Sequence, residues 1–155
     1  MTWQNTVTLF KEGNGYQVTS VGNYAFSNGQ TLTSLVVPDS IKLLDWVSFV
    51  NNWKLKTIDL GKVEELHQQA FDSCESLTEI VLPETLRYME SWVFQDCINL
   101  QKVTCLATIP PTLGGKGNFD NTNNCPIYVP SASLNAYKTA TNWSVYASRI
   151  YPIEE

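Results

Sequence analysis

A phenylalanine returns along this chain at Phe26, Phe49, Phe71, Phe94 and Phe119, in steps of 23, 22, 23 and 25 residues. The apolar residues around it keep register. Six residues after each of the first four Phe stands Leu32, Leu55, Leu77 or Leu100, nine after it Leu35, Ile58, Ile80 or Val103, and eleven after it Val37, Leu60, Leu82 or Cys105. Upstream, at eight and five residues, come Val18 and Val21, Ile41 and Leu44, Val63 and Leu66, Leu86 and Met89. A unit of this length cannot enclose a core alone, so its apolar columns must be covered by the next unit, and the chain must stack as a coil. The apolar, mixed, apolar triplet that closes each unit has the period of a β-strand. Strands stacked ~4.8 Å apart make a body only roughly 20 to 25 Å long, so both open ends need caps.

The ends supply candidates. Thr6 to Phe10 and Tyr16 to Val21 are strand-like runs around Glu12-Gly-Asn-Gly15, which reads as a turn. Residues 1–17 are therefore expected to form an N-terminal hairpin, or a worn first rung, covering the open end with Trp3, Val7 and Leu9. Residues 18–130 carry the repeats, four clear and one degenerate. Ile127-Tyr-Val-Pro130 reads as a last strand, and residues 131–155 as a small cap in which Ser131 or Ser133 N-caps a short helix bearing Leu134, Tyr137 and Ala140. Ile109 to Asn118 holds two Pro and three Gly, which predicts a mobile loop between the last clear rung and the cap.

The segments Leu32-Thr-Ser-Leu-Val-Val-Pro38 and Leu77-Thr-Glu-Ile-Val-Leu-Pro83, each following an Ala-Phe, with Phe71-Asp-Ser-Cys74 and Phe94-Gln-Asp-Cys97, resemble the BspA-like leucine-rich repeat family. The tail from Val129 to Tyr137 with Trp143, Tyr146 and Ile150 is similar to the cap common in that family. The chain departs from the pattern at Gly61 and Leu106, where Pro is expected, and at Gly29 and Asn52, where Cys is common. The resemblance implies a short right-handed leucine-rich-repeat solenoid with a small helical C-terminal cap. It further implies an extracellular or cell-surface location in bacteria, and binding to host matrix or neighbouring-cell proteins.

Charge narrows the partners. Ten Lys plus Arg against fifteen Asp plus Glu leave a net charge of -5, which disfavours nucleic acid and anionic membrane surfaces. The N-terminus carries no basic or apolar leader, and the chain nowhere approaches the ~18 uninterrupted apolar residues of a spanning helix.

Chemistry is sparse. The single His67 lies in an outward stretch, as a solvated surface residue, and no triad geometry supports it. Cys74 and Cys97 share a column, where a small thiol packs as a ladder. Cys105 and Cys125 lie near corresponding edges of the last two rungs, a spacing that allows a disulfide in an oxidising compartment. No ligand-spaced Cys or His pair points to zinc, Gly114-Gly-Lys-Gly117 lacks the Walker spacing, and Asp120-Asn-Thr-Asn-Asn124 lacks the Gly and Glu of a calcium loop. No metal, cofactor or catalytic residue is expected. Asp59 and Glu79 project from adjacent rungs, and a solvated face explains them better than a glycosidase pair.

The outward aromatics remain. Trp46, Trp92, Tyr88 and Trp53 stand outside the apolar columns, and with Asp59 and Glu79 they form the candidate partner-binding surface. Trp and Tyr combine contact area with a polar handle, as binding anchors do; the alternative is that they fold back over rung edges. A non-enzymatic protein-binding module is the leading expectation. A glycan-binding surface using exposed Trp and Tyr, or a purely structural spacer, are the alternatives.

Overall fold

In the computed structural model, which describes Thr6–Thr8, Glu12–Gly13 and residues 16–154, with side chains from residue 17, each repeat makes one turn of a coil. A turn runs through a short back strand, a corner carrying the Phe, and a longer front strand. The back strands are β4 (Ser20–Val21), β6 (Leu43–Leu44), β8 (Glu65–Leu66), β10 (Tyr88–Met89) and β12 (Thr112–Leu113), stacked parallel in one five-stranded sheet. The front strands are β5 (Ser34–Val36), β7 (Thr57–Asp59), β9 (Glu79–Leu82), β11 (Lys102–Cys105) and β13 (Ile127–Val129).

The periodic residues form the core. Phe26, Phe49, Phe71, Phe94 and Phe119 stack with centroids 5.1, 5.3, 5.5 and 6.0 Å apart and rings within 11° of parallel. Leu32, Leu55, Leu77 and Leu100 are buried beside them. Two columns of positive φ flank the Phe and make the corner possible. Two residues after it stand Asn28, Asn51, Ser73, Asp96 and Asn121, with φ between 55 and 59°, mostly polar types that tolerate the left-handed region. Two residues before it stand Tyr24, Val47, Gln69, Trp92 and Gly117. Val47, at φ 50°, is β-branched and strained there.

The column three after the Phe explains one departure from the pattern. Cys74 and Cys97 point their thiols back at the carbonyls of Phe49 and Phe71, at 3.6 and 3.3 Å. Buried Asn52 does the same work with an amide, donating to the carbonyls of Phe26 (2.8 Å) and Phe49 (2.7 Å). Its larger side chain fits because Gly29 precedes it in the column: a Cβ on Gly29 would lie 2.1 Å from Asn52 Oδ1.

The front sheet is divided. β7 pairs with β5, and β9 with β11, which pairs in turn with β13, but no ladder joins β7 to β9. Where Gln101 N donates to Thr78 O and Val37 N to Asp59 O, the equivalent bonds, Thr78 N to Lys56 O and Leu60 N to Val81 O, do not form among the described residues. The corner after β7 has two residues, Gly61 and Lys62, between the core positions Leu60 and Val63, against three (Pro38 to Ser40, Glu84 flanked by Pro83 and Thr85) in the turns on either side. That shorter path places Gly61 at φ +52°, its missing Cβ 2.4 Å from Val37 O. β7 is paired on one side only, and Ile58, expected in the core, is half-buried while Leu35, Ile80 and Val103 are buried. Val18, also expected in a core column, is exposed.

At the ends one open alternative is decided and two expectations are corrected. Of the hairpin and worn-rung alternatives for the N-terminus, Thr6–Thr8 (β1) follows the second: it lies parallel to β5, Thr6 opposite Ser34. Among the described residues an antiparallel pair joins Glu12–Gly13 (β2) to Tyr16–Gln17 (β3); Trp3 and Leu9, and the side chain of Val7, lie outside the described residues. The stretch expected to be an irregular loop carries β12, whose Leu113 pairs with Met89. The C-terminal cap contains the helix α1 (Leu134–Thr139), but Ser133 makes no capping bond and donates instead to Thr108 O at 2.6 Å.

Cap and stack interlock. Trp143 and Tyr146 meet the last Phe119 at 6.0 and 5.5 Å. Trp143 donates to Pro111 O, Tyr137 to Ala107 O, and the Arg149 guanidinium to the carbonyls of Phe119 and Cys125. These bonds occupy polar backbone that no further rung covers. Ile150–Pro152 (β14) then adds a front strand beside β13. Cys105 stands opposite Val129 in the extended register, with its sulfur 3.1 Å from Tyr137 Oη, while Cys125 contacts Thr122; both are free thiols, four residues apart along the ladder.

Candidate interaction site

The back sheet fixes a row of outward side chains. Backbone bonds from Asp45 N to Val21 O, His67 N to Leu44 O, Glu90 N to Leu66 O and Gly114 N to Met89 O, all 2.8 to 2.9 Å, hold the residue after each core Leu or Met in register. Asp45, His67 and Glu90 therefore come into line on three successive rungs. His67 is partly buried between two carboxylates, Nδ1 3.0 Å from Asp45 Oδ1 and Nε2 3.3 Å from Glu65 Oε2. Tyr88 meets its ring edge-on at 6.1 Å. Arg87 pairs with Glu64 at 3.2 Å and also with Glu65.

Trp46 crosses this row. Its indole Nε1 donates to Glu90 Oε2 at 2.9 Å, so the side chain passes over the intervening rung, where Gln68 N donates to the same oxygen at 3.1 Å. The ring is held at its polar edge and still 50% exposed. Asn23, Asp45, Trp46, His67, Tyr88 and Glu90 line a shallow concavity of about 460 Å³.

Residues 9–126 match the BspA type leucine rich repeat region, in six copies. The chain belongs to this family. Its structural relatives are bacterial leucine-rich repeat proteins. A leucine rich repeat protein of T. pallidum superposes with TM-score 0.77 at 23% identity, over 96% of this chain and 68% of that one. A leucine rich cell surface protein from Faecalibacterium prausnitzii A2-165 gives TM-score 0.70 at 22% identity, over 89% of this chain and 36% of that one. A leucine-rich repeat protein from Bacteroides capillosus ATCC 29799 gives 0.59 at 25% identity, over 66% and 77%. No functionally curated protein matches. Membership points to a protein-interaction module.

The BspA-type stack sorts the expected site residues. Tyr88 and Trp92 lean onto the next rung: a Cβ would lie 2.3 Å from Tyr88 Oη at Gly114, and 2.4 Å from Trp92 Cδ1 at Gly117. The glycine run is a bed for the aromatic side chains of the rung before it. Trp92 nonetheless stays 41% exposed, as does Trp53 on the turn leading to β7. Asp59 and Glu79 are not brought together. Each is exposed on the front face, but Asp59 aligns with Val36 and bonds Gly61 N at 3.0 Å, while Glu79 faces Lys102 across a different strand pair.

No thiol is poised as a nucleophile. Burial pushes Cys97 up to about 12 and Cys74 well above the ordinary range, and it raises Cys105 and Cys125 as well. Glu90 was missed in the sequence. Its signal was the outward position immediately after the Val21, Leu44, Leu66, Met89 column, which spells Gly22, Asp45, His67, Glu90.

Proposed function

We propose that this chain is a non-enzymatic recognition module of a bacterial surface or secreted protein, engaging another protein in an adhesion-type contact through its back-sheet face. The observation that carries the reading is Trp46: a large ring fixed by a hydrogen bond across three rungs and left half in solvent loses little freedom when a partner covers it, as an anchor should. The named cell-surface relative supports the location, and the extracellular matrix and neighbouring bacterial surfaces are the partner classes to examine. Immobilised matrix and outer-surface proteins, probed with the chain and with Trp46→Ala, Trp92→Ala, Trp53→Ala and Asp59→Ala, provide the test. Selective loss of capture with Trp46→Ala is expected. Capture that is unchanged in Trp46→Ala and Trp92→Ala, or absent for every protein while immobilised oligosaccharides bind, overturns the reading, the second outcome in favour of a glycan platform built on the exposed indole beside Asn23 and Asp45.

A further inference from the structure

The concavity beside Trp46 has a chemistry of its own. Two of its lining residues, Asp45 and Glu90, are carboxylates, and neither Lys nor Arg is among the six. Each carboxylate has one committed oxygen: Asp45 Oδ1 accepts from Trp46 N at 2.8 Å and approaches His67, and Glu90 Oε2 accepts from Trp46 Nε1 and Gln68 N. Among the described residues no hydrogen bond or ion pair engages Asp45 Oδ2 or Glu90 Oε1. Nearby cations are spent elsewhere, Arg87 on Glu64 and Glu65, and Lys42 on Glu64 at 3.8 Å. The half-exposed indole thus lies between two carboxylates that no lysine or arginine neutralises, with His67 against Asp45 alone.

From this arrangement we infer that the concavity binds a cationic side chain of the partner protein, an arginine in preference to a lysine; the inference rests on the recognition reading given above. A guanidinium is planar, stacks on an indole face, and donates at its edge, so it can cover Trp46 while giving N–H groups to the unengaged oxygens of Glu90 and Asp45. An ammonium makes the same charge contact without the stacking. The indole N–H is already donated to Glu90, which turns the ring into a fixed platform and leaves its π-face for the cation.

The test is an NMR titration of the whole chain, uniformly labelled with nitrogen-15, with a blocked Gly-Arg-Arg-Gly peptide and its citrulline twin, which keeps the shape and loses the charge. The Trp46 indole and Gln68 amide signals are expected to move saturably with the arginine peptide, about fivefold more tightly than with citrulline, and to lose that preference in salt. Glu90→Gln keeps an acceptor for the indole and removes the charge, so it should hold the fold and the indole signal while weakening arginine binding by a similar factor. Glu75→Gln, exposed on the turn before β9, should leave it unchanged. Equal binding of the citrulline peptide, no saturable shift at millimolar peptide, or undiminished binding by Glu90→Gln overturns the inference. If Trp46→Ala abolishes capture of a protein partner while the arginine peptide fails to bind, recognition at this face stands and the cationic occupant alone is refuted.

Discussion

Placing a methyl group on Gly29 tests whether the core column is set by its neighbours or by its own backbone. Gly29 does not occupy the left-handed region, so its backbone accepts alanine, and Gly→Ala at such a site stabilises by about 0.4–1 kcal/mol through the unfolded chain. In the native stack, however, the new Cβ would lie 2.1 Å from Asn52 Oδ1 and 3.2 Å from Asn52 Cγ. Asn52 cannot swing aside without releasing the carbonyls of Phe26 and Phe49, and a released buried carbonyl costs about 1–3 kcal/mol. Adding an overpacking penalty of about 1–3 kcal/mol makes Gly29→Ala destabilising by roughly 3 kcal/mol, or about 6–12 °C in Tm for a chain of this size. In an Asn52→Cys background the thiol takes the place Cys74 and Cys97 take on later rungs, Oδ1, which has no partner, disappears, and Gly29→Ala becomes neutral to slightly stabilising. Urea unfolding followed by circular dichroism and Trp fluorescence, over all four members of the cycle, measures the coupling, expected at about 3 kcal/mol. Equal destabilisation by Gly29→Ala in both backgrounds would refute the argument.

Three further outcomes follow from the stack. Val47→Asn relieves a left-handed β-branched residue and loses apolar burial, so it should be near neutral, whereas Val50→Asn, in a comparably half-buried site without positive φ, should cost about 1–2 kcal/mol more; equal costs in urea unfolding would remove strain from the account. The buried thiols ionise at higher pH in the folded chain than in the unfolded one, so their stabilisation is complete below pH 9 and falls as pH rises toward 12. Alkaline unfolding curves should show Cys97→Ala losing about 1.4 kcal/mol per pH unit less than the parent over that window, and parallel curves would contradict it. Hydrogen exchange should be faster at Thr78 and Leu60 than at Gln101 and Val37, and grafting the three-residue corner 83–85 in place of Gly61-Lys62 should slow it; unaltered exchange after the graft would separate corner length from the division of the front sheet.

The repeat was legible because one residue per turn, the Phe, stacks on its equivalent in the next turn: its period alone placed Leu55, Leu77 and Leu100 in the core. Contacts between rungs were less so. The short step between Phe49 and Phe71 is visible in the sequence, but that it opens the front sheet depends on which backbone bonds a shorter corner can reach. Gly114, Gly115 and Gly117 read as loop residues because the side chains that need their missing Cβ atoms, Tyr88, Ser91 and Trp92, belong to the preceding rung. β1 read equally as a hairpin arm or a worn rung because Glu12 to Gly15 has turn composition, whereas its partner β5 lies a full repeat away. Of the candidate surface, Trp46 and Tyr88 fell together, and the acidic row that gives them a chemistry emerged only from strand register.

Solenoids lengthen and shorten by gaining or losing whole turns, and a bond between adjacent turns survives such events with a new neighbour. The Trp46 to Glu90 bond is of another kind, because it ties the second turn to the fourth and has meaning only when a single turn lies between them. Duplicating or deleting the Phe71 turn would leave a coil that still stacks and a site that no longer exists. This stretch of the stack is therefore the one whose copy number selection for binding would freeze, while turns outside it remain free to be added or lost.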